Sequence, residues 1–395
     1  MITFCQRLIQ TPSLSGEEAG VASLAQSEMR RLGYDEVWVD EVGNVIGVMK
    51  GAEGPPLLFN AHMDQVDIGE RSEWSHDPFG GQIIQGAIWG RGASDTKGAI
   101  ATQIHAIGRA REMGASFMGD VFVACVVHEE TGSWGTKHLV KHLKAEVAIL
   151  GEATANQIAI GHRGRTEIIV VIRGKAQHAS TAKPAENVLY ALASFLERLE
   201  HLPLRNDPKL GAAALTPTRC YTDHQSGNMT PGIVSLHLDW RSLPGDDPEQ
   251  LLQSLRDILA QVCASDMSYQ VELLSKEVRS YTGLTTALPA TAPAYLLDET
   301  HPLPRLAKDI LKERLHREVE TRLWGFATDG GYLTQAGIPT IGFAPGDERH
   351  AHTPHDQVSI AQMNEAFWGY LALASELPKR MMDEALRLPD ERVVK

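Results

Sequence analysis

The stretch that decides the fold is residues 121–130, which are VFVACVVHEE. Its first seven residues, Val121 to Val127, are all apolar, which is typical of a strand buried on both faces of a sheet. The run ends in His128-Glu129-Glu130, whose side chains can transfer protons and bind metal ions. A buried strand followed at once by such residues predicts an α/β sheet with a polar site at one edge.

Other short apolar runs have the same form. Leu57–Phe59, Val147–Leu150 and Ile338–Phe343 are each followed within a few residues by potential ligands, which are His62 and Asp64, Glu152, and His350 and His352. Asp95 follows the loop 89–92, just before a predicted helix at 97–113. Strands that alternate with helices predict a sheet covered on both faces. Because ligands bind beyond the carboxyl ends of such strands, we expect these loops to meet at one edge.

The middle of the chain has a different pattern. Two helices interrupt four predicted strands, and the six elements are 166–174, 186–202, 214–221, 233–241, 248–263 and 269–274. Their order, β-α-β-β-α-β, is typical of a ferredoxin-like α+β domain. We therefore predict that residues 164–282 form a small domain inserted between 1–163 and 283–395, the two parts of a larger α/β domain.

Composition limits the class of protein. The 395 residues suggest two or three domains at about 100–200 residues per domain. The net charge of −13 argues against a nucleic-acid-binding surface, because such surfaces cluster Lys and Arg. No apolar run approaches the roughly 18 residues of a membrane span, and the four cysteines lack paired spacing. We expect a cytoplasmic enzyme that binds neither nucleic acid nor membrane.

The donors at the predicted sheet edge are imidazoles and carboxylates without cysteine. That set suits zinc, cobalt or manganese. If one carboxylate bridges, the same donors can hold two ions, which would polarise a carbonyl and generate hydroxide near neutral pH. Neighbouring side chains on a strand point to opposite faces, so only one of Glu129 and Glu130 is expected to be a ligand if the pair is extended. The other would transfer protons.

The chain resembles the M20 family of dinuclear metallopeptidases and amidohydrolases, which includes acetylornithine deacetylase, succinyl-diaminopimelate desuccinylase and carboxypeptidase G2-like enzymes. The resemblance covers nearly the whole chain and rests on five motifs, NAHMD at 60–64, WGRGASDTKG at 89–98, HEETG at 128–132, GE at 151–152 and AHTPHD at 351–356. It implies a zinc-peptidase-like catalytic domain with a mixed sheet covered by helices. The inserted ferredoxin-like domain would be a lid and dimerisation domain.

The resemblance also implies a role for each motif residue. His62 and Glu152 would bind one metal ion, Glu130 and His352 the other, and Asp95 both, with a cis Asp95–Thr96 peptide bond. Asp64 would orient the His62 imidazole, and Glu129 would be the general base. The family often has Glu where Asp356 stands, and His350 is the nearest rival of His352.

Further residues are implied by the resemblance in the inserted domain and near the C-terminus. His178 would stabilise the tetrahedral oxyanion, commonly from the partner subunit, or else be a surface histidine. Asn228 and Arg241 fall where similar enzymes hold a substrate carboxylate; the alternative for Arg241 is an internal salt bridge. Gly330 lies in a predicted substrate loop that can equally be a turn at the start of a helix.

We therefore expect a hydrolase that uses two divalent ions, zinc before cobalt or manganese, to cleave the amide bond of an N-acyl amino acid. The segments 74–79 and 342–347 favour the deacetylase and desuccinylase branch. The alternatives are a dipeptidase or carboxypeptidase acting on short peptides, and an N-carbamoyl amino acid amidohydrolase. A non-catalytic metal-binding homologue is the alternative from another class. A homodimer is expected.

Overall fold

The computed structural model describes residues 1–224 and 226–385, which form two compact units. The larger unit contains Met1–His162, Glu277–Thr286 and the described residues from Leu296 to Ala385; the smaller contains Arg163–Lys276 and Ala287–Tyr295, within the described residues. The predicted inserted segment was 164–282. In the structure, residues 277–286, which contain the turn between two paired strands, belong to the larger unit, and residues 287–295 belong again to the smaller one.

The principal elements are numbered here in chain order. The helices are α1 Ile2–Ile9, α2 Ala19–Arg31, α3 Gly98–Gly108, α4 Trp134–His142, α5 Val188–Glu200, α6 Pro248–Val262, α7 Pro302–Leu315, α8 Gly330–Gln335 and α9 Ile360–Ala385. The strands of the two main sheets are β1 Glu36–Val39, β2 Val45–Met49, β3 Leu57–His62, β4 Val121–Val126, β5 Val147–Leu150, β6 Ile158–Ala159, β7 Arg165–Arg173, β8 Ala214–Thr222, β9 Ile233–Arg241, β10 Ser268–Leu273, β11 Thr321–Arg322 and β12 Thr340–Gly342. The remaining strands form small pairings and are Gln82–Ile84, Ala87–Trp89, Gly161–His162, Gln177–His178, Asn206–Asp207, Gly211–Ala212, Met229–Thr230, Ser275–Arg279, Thr285–Pro289, Thr291–Ala292, Tyr295–Leu296 and Gln357–Ser359.

The larger unit is built on an eight-stranded mixed sheet. Its strand order is β1-β2-β4-β3-β5-β12-β6-β11, and β3 runs parallel to both β4 and β5. In this register His62 pairs with Val126, and Asn60 pairs with Leu150. The carboxyl ends of three strands therefore lie side by side, and the residues that follow them emerge at one edge. This mixed α/β sheet confirms the predicted fold class.

Helices on the sheet complete the core of the larger unit. All residues of α3 are buried, and Tyr370 of α9 packs edge-on against both Phe59 and Phe343, with ring centroids 5.4 Å away in each case. The predicted helix 97–113 was too long. It ends at Gly108, after which residues 109 and 111–113 are exposed and the chain turns, so the buried face that stabilises α3 ends there.

The smaller unit is an antiparallel sheet of order β8-β9-β7-β10 with two helices. On β7, Ile168, Val170 and Ile172 are buried and share a core with α5 and α6, while the residues between them are half-buried. The six long elements follow one another as β-α-β-β-α-β. The long apolar run of β7 thus has one face under helices and one less covered.

None of the helices in the described part of the chain combines the length and the apolar character of a membrane span. The cytoplasmic location expected from the sequence stays a prediction.

Candidate metal centre

Asp95 lies at the middle of the candidate site, with an imidazole at each of its carboxylate oxygens. Its Oδ1 is 2.8 Å from Nε2 of His62, and its Oδ2 is 3.1 Å from Nε2 of His352. Asp95 and His62 are buried, whereas half of the His352 side chain is exposed. One carboxylate therefore connects two imidazoles from distant parts of the chain.

A glutamate accompanies each of the two histidines. Oε1 of Glu152 is 3.6 Å from Nε2 of His62. Oε1 of Glu130 is 2.9 Å from Nε2 of His352. The result is two His–Glu pairs that share Asp95. Among the described residues, His352 rather than His350 reaches these carboxylates.

A kink within the segment Ala93–Lys97, where Asp95 and Thr96 have non-helical backbone angles, presents Asp95 to the site. The Asp95–Thr96 peptide bond is cis, and the Thr96 hydroxyl donates a hydrogen bond to the backbone oxygen of His62 at 2.9 Å. Buried Asp356 accepts hydrogen bonds from the backbone N–H groups of Gly92 and Ser94 at 2.7 and 2.9 Å. The carboxylate that departs from the family pattern thus fixes the loop before Asp95.

Asp64 holds the turn that carries the two adjacent glutamates. Its carboxylate accepts the backbone N–H of Glu129 at 3.0 Å and that of Glu130 at 3.1 Å. The His62 Nδ1 lies 2.8 Å from the Asp64 backbone oxygen, whereas the nearer carboxylate oxygen is 3.6 Å away. The predicted orientation of His62 therefore involves mainly the Asp64 backbone oxygen, whereas the Asp64 carboxylate binds the backbone of the turn at Glu129 and Glu130.

Negative charge is concentrated at this edge of the sheet. Burial raises the pKa values of Glu129 and Glu152 well above their ordinary range, and neighbouring carboxylates raise them further. Burial also acts on Asp95, but hydrogen bonds from His352 and His62 outweigh it and lower the pKa of Asp95. Hydrogen bonds to Asp95 and Glu130 raise the pKa of His352 to about 10. The surrounding carboxylates thus raise the pKa values of both imidazoles, those of His62 and His352.

The donor set fits divalent cations. Ligand atoms of His62, Asp95 and Glu130 lie within 4.8 Å of one another. Carboxylate and imidazole are the ligands that zinc, cobalt and manganese accept in proteins. Burying charged carboxylates costs several kcal/mol for each group unless the charge is compensated. Cations between the two His–Glu pairs would offset that cost, and the shared Asp95 suits two of them.

The hydrogen bonds of a buried network beside the site were not predicted from the sequence. The Thr136 hydroxyl donates to Asp329 at 2.6 Å, and the charge of Asp329 is among the causes that raise the pKa of Glu129. Nε2 of buried His162 contacts both the backbone N–H and the hydroxyl of Thr328. These partners are far apart in sequence, so no local pattern could indicate them.

Gly330 lies at the start of helix α8, and its N–H donates to the Thr328 hydroxyl at 3.1 Å. The turn at the start of a helix, the alternative weighed from the sequence, is therefore present. A role for Gly330 in binding substrate stays a prediction.

The predicted site residues of the smaller unit make local contacts. The exposed His178 places Nδ1 2.8 Å from the Ser180 hydroxyl. Asn228 accepts a hydrogen bond from Ser226 at 2.6 Å. Arg241 Nε donates to Asp239 at 2.6 Å, which is the internal salt bridge considered as the alternative.

Curated relatives include two deacylating enzymes. The chain is 27% identical over 363 residues to acetylornithine deacetylase of Myxococcus xanthus, covering 89% of this chain and 88% of the relative. It is 29% identical over 280 residues to succinyl-diaminopimelate desuccinylase of Rhodospirillum centenum, covering 66% of this chain and 72% of the relative.

Solved structures share the fold at lower sequence identity. Aminopeptidase PepT from Bacillus cereus has a TM-score of 0.76 at 20% identity, over 95% of this chain and 97% of that one. The YXEP protein of Bacillus subtilis, described as a dinuclear metal-binding peptidase, has a TM-score of 0.71 at 16% identity, over 96% and 98%. Likeness at this level shows the fold alone.

The resemblance derived from the five motifs is confirmed by a match that spans both halves of the larger unit and the insertion between them. The family match covers residues 58–376, and this range includes all five predicted metal ligands. The chain belongs to peptidase family M20/M25/M40.

Proposed function

We propose that this M20 family hydrolase binds two divalent metal ions and cleaves the amide bond of an N-acyl amino acid. One observation carries the proposal: both oxygens of Asp95 are within contact distance of imidazoles, and each imidazole has its own glutamate. His62 and Glu152 would hold one ion, His352 and Glu130 the other, and Asp95 both.

Two ions bound at this site would polarise the substrate carbonyl and lower the pKa of an attacking water. We propose zinc, with cobalt or manganese as alternatives, because His and carboxylate ligands accept each of them.

Glu129 is the proposed general base. Its neighbour Glu130 contacts His352, so the two carboxylates of the pair are divided between proton transfer and ligation. Glu129 would take the proton of the attacking water and give it to the leaving nitrogen. Asp64 would keep Glu129 in place through the backbone N–H that its carboxylate accepts.

The deacetylase and desuccinylase relatives support an N-acyl amino acid as the substrate. A short peptide is the alternative substrate, in keeping with membership of a peptidase family. Both substrates present an amide beside a carboxylate, for which Arg241 and Asn228 are the proposed partners. Arginine suits carboxylates because its planar group donates two parallel hydrogen bonds.

We also propose that the smaller unit mediates a homodimer and that His178 donates to the oxyanion of the reaction. Strand β8 is an edge of its sheet, and most of its residues, Tyr221 among them, are exposed. Such an edge is open to pairing with a second copy. Analytical ultracentrifugation would test the dimer.

A substrate panel tests the proposed function. The protein would be stripped of metal and reloaded with zinc, cobalt or manganese. Release of free amine would then be measured from N-acetyl, N-succinyl and N-carbamoyl amino acids and from dipeptides. Preference for one acyl amino acid is expected. Preference for dipeptides would establish the peptidase alternative, and no release with both ions bound would refute a hydrolase of this kind.

A further inference from the structure

We propose that Glu18 is a positioning residue of the active site, which holds the turn carrying the general base. The proposal rests on the function proposed above, and it concerns a residue outside the five motifs. Glu18 stands directly before helix α2, and its side chain is fully buried. Its carboxylate makes no capping hydrogen bond to that helix.

The carboxylate of Glu18 instead faces the turn that follows β4. Its Oε1 accepts the backbone N–H of His128 at 3.2 Å. The next two N–H groups, of Glu129 and Glu130, are accepted by Asp64. Three successive N–H groups of the turn are therefore bound by two buried carboxylates from separate parts of the chain.

The conformation of this turn needs such support. His128 has a φ of 56°, in the left-handed region that residues other than glycine rarely adopt. A turn in this region presents its N–H groups to one side, where an acceptor stabilises it. Glu18 and Asp64 supply acceptors on that side and so determine where the following side chains point.

The same segment ties Glu18 to Asp64. The Ser15 hydroxyl donates to Asp64 at 2.6 Å, and the Cβ that a side chain at Gly16 would require comes within 3.6 Å of the His128 ring. Residues 15–18 therefore lie against the turn on one side, and a change at Glu18 is expected to reach Glu129 through the His128 backbone.

Glutamine is the conservative replacement for this role. Burial and the nearby Asp64 charge raise the pKa of Glu18 to about 7. Burial therefore favours the neutral, protonated form of Glu18, and glutamine is a neutral side chain of the same shape. Glu18→Gln keeps an oxygen acceptor for His128, whereas Glu18→Met keeps the volume and removes the acceptor.

The experiment measures kcat, KM and metal content of both variants, with Glu28→Met as the control. Glu28 is a buried acid on the same helix that contacts Arg31 and His105, away from the turn. Changes to residues that orient a site commonly cost about 10- to 100-fold in activity. We expect that loss in kcat for Glu18→Met with both ions kept, recovery to within about threefold for Glu18→Gln, and wild-type kcat for Glu28→Met.

Hydrogen exchange separates this claim from the proposed function, because it does not need activity. Amide exchange at 128–130 should rise about tenfold in Glu18→Met and stay low in Glu18→Gln. That result upholds the positioning role even if the wild-type protein hydrolyses none of the substrates. Unchanged exchange and kcat in Glu18→Met would overturn it, as would an equal loss of kcat in Glu28→Met. If Glu18→Met does not fold, Glu18→Ala provides the same test.

Discussion

The predicted metal ligands and the predicted substrate residues lie in environments that differ sharply. In the larger unit, His62, Asp95 and Glu152 are buried, and the His62 imidazole contacts both carboxylates. In the smaller unit, His178 and Asn228 are exposed, and each bonds to a residue two positions away. The first group is organised before any substrate arrives, and the second is not.

This difference has a physical cause. Ligands of a cation must converge to within a few ångströms, so the sheet edge and its turns hold them at fixed positions. Groups that recognise a substrate need only a free hydrogen-bonding direction when the substrate binds. We therefore expect changes in the larger unit to act on metal content and kcat, and changes in the smaller unit to act on kinetics alone.

The largest effect is expected for Asp95→Ala. Because Asp95 contacts both imidazoles, its loss should remove both ions together and lower kcat/KM by well over the roughly 100-fold typical of residues that only orient ligands. Metal content by plasma mass spectrometry, with kcat/KM, checks this. Glu152→Ala is the matched comparison and should lose one ion. If Asp95→Ala retained both ions, the assignment of Asp95 as the ligand shared by both ions would be wrong.

His178→Ala should lower kcat by about 10²- to 10³-fold, as is usual when a donor to an oxyanion is removed. Metal content should not change, since the His178 imidazole bonds to Ser180 and is not one of the proposed metal ligands. Steady-state kinetics and metal analysis of His178→Ala test this prediction. The exposed His201, replaced by alanine, serves as the control. Wild-type kinetics for His178→Ala would make it a surface histidine.

Stability of Glu18→Gln should depend less on pH than that of the wild type. The pKa of Glu18 is raised from 4.5 to about 7 in the fold. Between these values the folded protein holds a proton that the unfolded chain releases, so the stability falls as pH rises through that window, by about 3 kcal/mol. Urea denaturation of the chelated proteins at pH 5 and pH 8 measures the difference. If the stability of Glu18→Gln fell between pH 5 and pH 8 as much as that of the wild type, the raised pKa of Glu18 would be contradicted.

The smallest effect is expected for Arg241→Ala. Loss of one charged hydrogen bond to a substrate carboxylate should raise KM about tenfold, or about 1.4 kcal/mol, with kcat kept. Arg165→Ala is the control, because Arg165 also bonds to Asp239, at 3.2 Å. If both variants shift KM equally, the salt bridge with Asp239 rather than a substrate contact explains Arg241.

Much of the fold could be predicted from local patterns. Strands such as 147–150 and 233–241 have the predicted bounds, because a buried strand requires a continuous or alternating apolar run. The helix at 97–113 was predicted too long, since the tertiary contacts that end it at Gly108 have no signature in the helical pattern.

The site was predictable where residues follow strands directly, as His62 and Glu152 do. The role of Glu18 and the hydrogen bonds of His162 and Asp329 were not predicted, because the partners His128, Thr328 and Thr136 lie far away in sequence. Asp64 shows the same limit within one residue. The family resemblance implied an orienting role for it, but the bonds of its carboxylate to the Glu129 and Glu130 backbone exist only in the folded chain.

The division of labour between Glu129 and Glu130 is the central claim, and metal content beside kcat in Glu129→Ala and Glu130→Ala tests it most directly. The account predicts that Glu129→Ala keeps both ions and loses about 10²- to 10⁴-fold in kcat, the range for a general base. Glu130→Ala should lose an ion. Loss of an ion from Glu129→Ala, with both ions kept by Glu130→Ala, would reverse the two roles and contradict the account.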